Sequence, residues 1–126
     1  MDTNVWYSAV LYGGRAEEAL RRGLKHCDLV VSPYLIDEIV ELIKLDTRAP
    51  YRFVKSLRDV LGRFILVEDS GEEFEVRDPK DQPIARAAIN AGCLLIVTGD
   101  EDLLTLEFVE EVAIVNINDF LAGLTD

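Results

Sequence analysis

The chain has 126 residues and a mass of 14.1 kDa, with 49% apolar residues, 13 basic and 24 acidic side chains, and a net charge of −11. This length and composition suffice for one hydrophobic core, so we expect a single domain over residues 1–126 and exclude intrinsic disorder. The longest apolar stretch, Cys93 to Val97, is far shorter than the ~20 residues that a membrane span needs. Without a signal peptide, the widely separated Cys27 and Cys93 are expected to be reduced thiols of a cytoplasmic protein.

The charge is distributed unevenly along the chain. Residues 1–67 hold ten basic and nine acidic side chains, whereas residues 68–126 hold three basic and fifteen acidic ones. The total of −11 alone argues against a polyanionic partner such as RNA. However, Lys44, Arg48, Arg52 and Lys55 follow helical spacing, which indicates either a solvated helix face or a ridge that contacts RNA phosphates. Pro50 interrupts a continuous helix in both interpretations.

Helical and strand-like patterns alternate along the sequence, as is typical of an α/β fold. The first half predicts a helix after Gly14, a strand at 29–31, a helix begun by Ser32 and Pro33, a basic helical region at 51–62 and a strand at 64–67. The second half predicts an acidic loop at 71–75, a helix that starts between Asp78 and Gln82 and ends at Gly92, strands at 94–97 and 112–115, and a helix at 118–124. The continuous apolar run from Leu94 to Val97 indicates a strand covered on both faces.

Four carboxylates occupy positions that set them apart from the solvated acids. Asp100 directly follows the strand at 94–97 and its turn, at the sheet edge where open α/β folds place their sites. Asp2 reaches the same edge if Met1 ends a strand. Glu38 borders the buried face of its helix, and Asp81 leans toward the packed side of the helix that follows it.

Each carboxylate also has a purely structural interpretation. Asp78 or Asp81 is suited to cap its helix, and Asp78-Pro79 favours this role for Asp78. Asp100 to Asp102 place favourable charge at the start of a short helix. Glu38 would then only flank the core. Against this, several carboxylates at one sheet edge repel each other unless a cation neutralises them. Mg²⁺ or Mn²⁺ prefers such oxygen ligands, and two such ions can activate water for phosphodiester cleavage.

Four motifs, in this order and at these separations, together resemble a PIN domain, and most closely the toxins related to VapC. They are Asp2-Thr3-Asn4-Val5, Ser32 to Ile39, Arg77 to Asp81 with the alanine-rich helix that follows, and Leu95 to Leu104. The resemblance implies a three-layer α/β/α fold around a parallel sheet of about four or five strands. It also implies a Mg²⁺- or Mn²⁺-dependent ribonuclease with an RNA substrate, commonly held in check by an antitoxin protein.

The resemblance also implies roles for individual residues. By this similarity the catalytic and metal-binding quartet is Asp2, Glu38, Asp81 and Asp100, with Asp102 as a candidate fifth ligand. Asn4 and Thr98 would orient the quartet or a bound water. The basic residues Arg48, Arg52 and Lys55 are the candidates for RNA binding.

The start of the sequence departs from the family pattern. PIN domains carry several apolar residues before the Asp-Thr-Asn motif, and here only Met1 precedes it. We therefore expect a truncated first strand. Either the natural start lies upstream, or Asp2 lies on a mobile terminus and metal affinity suffers.

Two further functions compete with the nuclease. The first is a catalytically impaired PIN-like interaction module, in which an apolar surface of Trp6, Tyr7, Val10, Leu11 and Tyr12 serves a partner or a homodimer. The alternative for that surface is that Val10 and Leu11 are core and that Trp6 is a packing residue. The second function, a phosphoryl-receiver domain, needs a lysine late in the chain, whereas the last one here is Lys80.

Overall fold

A computed structural model describes residues 1–45, 62–76 and 78–124, without the side chains of residues 10, 11 and 43–45. The elements are α1 (Thr3–Tyr12), α2 (Gly14–His26), β1 (Val30–Val31), α3 (Pro33–Leu45), β2 (Ile65–Leu66), a 3₁₀ turn (Pro79–Asp81), α4 (Gln82–Asn90), β3 (Leu95–Val97), α5 (Glu101–Leu104), β4 (Phe108–Val109), β5 (Val112–Val115) and α6 (Ile117–Gly123). Among these described segments, none is a helix with the length and apolar character to cross a bilayer. The predicted RNA-binding residues Arg48, Arg52 and Lys55 lie outside the described residues, as does nearly all of the basic helical region.

The strands form two groups. β1 pairs with β2 in parallel, with Val30 opposite Ile65. β3 pairs with β5 in parallel, with Ile96 opposite Ile114, and β4 adds to β5 in antiparallel orientation. The predicted α/β fold with a parallel sheet is therefore confirmed, with an antiparallel strand at one edge that the sequence pattern did not predict.

Helices cover both faces of β3. Successive side chains of a strand point to opposite faces. Ile96 packs in a cluster with Ala85 and Ala88 of α4, whereas Val97 packs with Ala19 of α2 and Phe120 of α6. The sheet therefore lies between two helical layers, as predicted.

The amino end of β3 differs from the prediction of a strand covered on both faces. Ile96 and Val97 are buried, but Leu94 is 81% exposed and Leu95 is 41% exposed. The prediction that helices bury both faces of the whole strand is therefore wrong for these two leucines. No described strand pairs with β3 on the edge opposite β5, so solvent reaches their side chains from that edge.

α1 was not predicted from the sequence. It begins at Thr3, and it buries Val5, Trp6 and Ala9 in the core. The Trp6 ring packs against Phe64 with centroids 4.3 Å apart. Trp6 is thus a packing residue rather than part of a partner surface, whereas Tyr12 is 62% exposed.

Polar side chains fix the start of α3 and the acidic segment that precedes the 3₁₀ turn. Ser32 caps α3 as predicted, because its Oγ accepts from the amide of Leu35 at 3.3 Å. The acidic segment between β2 and the turn is held by α4: Asn90 donates to the carbonyls of Glu68 and Ser70, each at 2.9 Å. α4 and the 3₁₀ turn before it are thereby anchored to the rest of the fold.

Candidate metal centre

The beginning of the chain lies at the carboxyl end of β3. The amide of Asp2 donates to the carbonyl of Val97 at 3.1 Å, and Asp2 is only 4% exposed. Its Oδ1 accepts from the amide of Val5 at 3.0 Å, and its Oδ2 accepts from the hydroxyl of Thr98. Asp2 is therefore held by both its backbone and its carboxylate, which argues against the alternative of a mobile terminus.

Thr98 links two of the acidic residues. It is fully buried, and its Oγ1 both donates to Asp2 and accepts from the amide of Asp100 at 3.0 Å. Its own amide donates to the carbonyl of Val115 at 3.0 Å, which ties it to β5. This arrangement places Asp2 and Asp100 on either side of one hydroxyl group.

Asp78 and Asp81 have different environments although they are three positions apart. Asp78 caps the 3₁₀ turn, since its Oδ1 accepts from the amide of Lys80 at 3.0 Å. Asp81 precedes α4 but makes no side-chain capping bond. It is only 6% exposed, and its buried Oδ2 accepts no hydrogen bond from the described residues. The capping interpretation therefore holds for Asp78 and fails for Asp81.

Negative charge accumulates around Asp81. Burial and the repulsion of nearby carboxylates raise the pKa of Asp81 to about 6, above its ordinary value of 3.8. After burial, the causes in order of size are the charges of Asp100, Asp78, Asp2 and Asp102. The fold thus gathers three members of the predicted quartet, Asp2, Asp81 and Asp100, within electrostatic reach of one another.

Asp100 and Asp102 lie at the start of α5. Asp100 is half-buried, and its Oδ1 accepts from the amide of Asp102 at 2.9 Å, so it caps this short helix. Asp102 is exposed in the first turn. Asp100 therefore caps α5, which is the structural role considered from the sequence, and it also lies near Asp81.

Glu38 is connected to the other acidic residues through Tyr34. Glu38 is half-buried on α3, whereas its neighbours Asp37 and Glu41 are exposed. The hydroxyl of Tyr34 donates to Glu38, and the pKa of Tyr34 is raised to about 12 by burial, by this hydrogen bond and by the charges of Glu38, Asp81 and Asp78. Glu38 thus lies one side chain away from the centre around Asp81.

The donor chemistry fits a hard divalent cation. Aspartate and glutamate oxygens are the ligands that Mg²⁺ and Mn²⁺ prefer, and Asp81 offers a buried oxygen that has no hydrogen-bond donor within the described residues. Within residues 1–45, 62–76 and 78–124, however, no three acidic, histidine or cysteine side chains stand close enough to hold an ion together. A shared ion would require these carboxylates to approach one another.

Asn4 stands apart from this centre. It is exposed in the first turn of α1, and no described hydrogen bond joins it to the acidic residues. The structure therefore places Thr98, but not Asn4, in contact with the predicted quartet.

Sequence reasoning missed two residues near the centre. Asp69 accepts from the amide of Tyr34 at 2.7 Å, so it caps the start of α3 from 35 positions away. A contact over such a separation leaves no local signal in the sequence. Tyr34 carries a weak signal, since it stands four positions before Glu38 and thus on the same helix face.

Two comparisons with known proteins agree with this architecture. A sequence model of the PIN domain family matches residues 1–102. A chain from the crystal structure of VapBC2 from Rickettsia felis, bound to a DNA fragment from their promoter, has a TM-score of 0.68. That match covers 90% of this chain and 94% of the other at 15% sequence identity, so the likeness concerns the fold. No curated protein sequence matches the chain significantly.

Proposed function

Because this chain belongs to the PIN domain family, we propose that it is a Mg²⁺- or Mn²⁺-dependent ribonuclease and the toxin of a toxin–antitoxin pair. The observation that carries the proposal is Asp81, a buried carboxylate whose Oδ2 has no hydrogen-bond partner among the described residues and which has acidic neighbours at the carboxyl end of β3. Within the described residues Asp81 neither caps a helix nor forms an ion pair, so a cation would offset the cost of burying its charge.

The acidic residues would have different roles in holding the cation. Asp81 and Asp100 would hold the cation directly, with Asp2 and Glu38 completing the set and Asp102 as a further ligand at the exposed side. A bound divalent ion supplies positive charge that activates water and stabilises the leaving oxygen of a phosphodiester. Thr98 keeps Asp2 in place, and Tyr34 keeps Glu38 in place.

The RNA substrate would approach from the basic residues of the first half. Arg48, Arg52 and Lys55 remain the candidates for phosphate contacts, since neutralising phosphates supplies most of nonspecific nucleic-acid affinity. The acidic segment at 68–75 repels a polyanion from its side of the molecule. We therefore expect weak nonspecific RNA binding that falls steeply with salt.

The toxin role is supported by the likeness to a chain of a VapBC2 complex. On this proposal the chain acts in the cytoplasm, and an antitoxin protein binds it and blocks cleavage. A homodimer also remains a prediction, although Trp6 is buried and cannot contribute to its surface.

The proposal is tested by cleavage of a labelled RNA. We expect cleavage with Mn²⁺ or Mg²⁺, none in excess EDTA, and recovery when the metal is restored. Asp100→Asn should abolish cleavage, while Asp37→Asn, which removes an exposed charge from α3, should cleave as the parent chain does. Cleavage that persists in EDTA would contradict the metal mechanism.

A catalytically impaired interaction module is the second candidate. It is favoured by the absence of a closed set of three metal ligands within the described residues. In that case the chain would neither bind Mn²⁺ nor cleave RNA, but it would still bind a protein partner. Mn²⁺ binding by the parent chain decides between the two.

A further inference from the structure

Two of the candidate metal ligands are carried by helices that pack in different parts of the core. Glu38 lies on α3, which packs through Leu35 and Ile39 in a cluster with α1. Asp81 directly precedes α4, which packs through Ala85 in a separate cluster with β3. The distance between the two carboxylates therefore depends on how α3 is held relative to α4.

The acidic segment at 68–75 lies along α4 and is held there by its backbone. Gln82 accepts from the amide of Phe74 at 2.9 Å and donates to the carbonyl of the same residue. One turn later, Arg86 donates to the carbonyl of Glu72 at 2.9 Å. Because residues four positions apart lie on one face of a helix, a single face of α4 binds the segment at successive points.

Asn90, a further turn along α4, holds Asp69 at the start of α3. Its side-chain nitrogen donates to the carbonyls of Glu68 and Ser70, each at 2.9 Å, on either side of Asp69. The Oδ2 of Asp69 accepts from the backbone amide of Tyr34 at 2.7 Å. The acidic segment is thus bonded to α4 on one side and to α3 on the other.

Asp69 supplies an acceptor to the first turn of α3. The first amides of a helix have no partner within it. Pro33 has no amide hydrogen, and the amide of Leu35 donates to the Oγ of Ser32 at 3.3 Å. The amide of Tyr34, between them, donates to Asp69, whose charge is favourable at a helix amino terminus. Ser32 and Asp69 therefore cap the same helix, and Asp69 also connects it to the acidic segment.

Tyr34 continues this connection to the carboxylates. Its hydroxyl donates to Glu38, four positions later on α3. After burial and this hydrogen bond, the charges of Glu38, Asp81 and Asp78 raise the pKa of Tyr34, so the hydroxyl lies near the start of α4. Tyr34 is thus bonded to Asp69 through its backbone and to Glu38 through its side chain.

We propose that the acidic segment is a brace that sets the separation between Glu38 and Asp81, with Asp69 as a positioning residue for the metal centre. The metal in this inference rests on the proposed function, whereas the brace itself is a property of the metal-free chain. Without the acceptor on Asp69, α3 would move relative to α4, and a cation would have to order the two helices on binding. Preorganised ligands bind more tightly because that ordering cost is absent.

The test compares two substitutions of Asp69. Asp69→Ala and Asp69→Asn both remove its charge, but the second keeps a side-chain oxygen that can accept from Tyr34. We expect Asp69→Ala to lower Mn²⁺ affinity by roughly 10-fold or more, as is typical of residues that orient metal ligands. Asp69→Asn should retain most of the affinity, and calorimetric titration measures both.

Ser32→Ala separates positioning from stability. It removes the neighbouring cap of α3, so it should destabilise the fold about as much as Asp69→Ala does in urea unfolding. It leaves the bond between Asp69 and Tyr34 in place, and its Mn²⁺ affinity should therefore stay close to that of the parent chain. Equal losses of affinity in Ser32→Ala and Asp69→Ala would overturn the proposal.

A distance measurement in metal-free protein tests the brace without the cation. Spin labels at Val40→Cys on α3 and Lys80→Cys before α4, both at exposed positions, report the separation in a background without the two native cysteines. Asp69→Ala, and Asn90→Ala on the other side of the brace, should broaden the distance distribution in pulsed electron paramagnetic resonance. Ser32→Ala should leave it as in the parent chain.

These measurements distinguish failure of the brace from failure of the proposed function. An unchanged distance distribution in Asp69→Ala and Asn90→Ala would overturn the brace, whether or not the chain binds metal. Unchanged Mn²⁺ affinity in Asp69→Ala would overturn its positioning role. If the parent chain binds no Mn²⁺ while the distribution broadens in both variants, the proposed function fails and the brace between α3 and α4 is supported.

Discussion

The two ends of β3 have opposite surroundings. At the carboxyl end, Thr98 and Asp2 are buried and hydrogen-bonded, and Asp81 and Asp100 add negative charge. At the amino end, Leu94 and Leu95 are exposed beside an apolar cavity. The carboxylates at one end repel one another, which favours a cation there, and the apolar side chains at the other end line a cavity, which favours an apolar neighbour.

The carboxyl end is tested most strongly by Asp81→Asn. Because the variant removes a direct ligand, Mn²⁺ affinity and RNA cleavage should fall by more than the roughly 10- to 100-fold typical of an outer-shell partner. The measurements are calorimetric titration and a cleavage assay.

The matched control for that variant is Asp78→Asn, three positions earlier. It removes the charge but keeps a side-chain oxygen that can cap the 3₁₀ turn, so it should change the free energy of unfolding little and retain most Mn²⁺ affinity. Equal losses of Mn²⁺ affinity in the two variants would show that Asp81 has no special role.

Thr98→Val should have the next largest effect. It keeps the side-chain volume but removes the hydroxyl between Asp2 and Asp100, and a hydrogen bond to a charged group contributes about 1.5–3 kcal/mol. Urea unfolding should show a loss of that order. Thr105→Val removes an exposed hydroxyl directly after α5, which donates to the carbonyl of Glu101 at 2.8 Å. It should change stability by much less, and similar losses would contradict the role of Thr98.

The pKa of Asp81 predicts how stability depends on pH in metal-free protein. Its folded value of about 6 lies above the ordinary 3.8, so the folded state binds the proton more tightly. Stability is therefore lost as pH rises from about 4 through 6. Asp81→Asn should match the parent at pH 4 and exceed it by about 1–3 kcal/mol at pH 8 in EDTA; a constant difference at both pH values would contradict this assignment.

The smallest predicted effect concerns RNA affinity. Replacing Arg48, Arg52 and Lys55 by alanine should reduce the slope of log K against log salt by roughly 0.7 for each phosphate of single-stranded RNA that the variant no longer neutralises. Fluorescence anisotropy at several salt concentrations measures this slope. Arg21→Ala with Lys25→Ala, on the exposed face of α2, provides the control. An unchanged slope in the triple variant would show that these three residues form a solvated face and do not contact RNA phosphates.

Local patterns predicted the parts of the fold that local chemistry determines. The Ser32-Pro33 start of α3, the apolar face of α2 and the strands β3 and β5 follow from caps and periodicity. α1 was missed because its apolar residues lie on most of its circumference and show no helical period. β4 was missed because Glu107 and Glu110, which adopt positive φ beside it, are not glycines.

The candidate site was predictable in its residue types but not in its geometry. Strand ends and helix faces indicated Asp2, Glu38, Asp81 and Asp100. The sequence Asp78-Pro79 favoured a cap at Asp78, which the fold confirms, whereas only the fold shows that Asp81 makes no capping bond. The contacts of Asp69 and Thr98 cross 35 and 96 positions of sequence. No pattern over neighbouring residues encodes such contacts.

On our proposal, the acidic residues around Asp81 form a cation site. The decisive measurement is calorimetric titration with Mn²⁺ at pH 6 in two buffers of different ionisation enthalpy. We expect binding with proton release, because the ion takes the place of the proton on Asp81, and loss of both in Asp81→Asn. No binding by the parent chain, or equal binding by the variant, would contradict it.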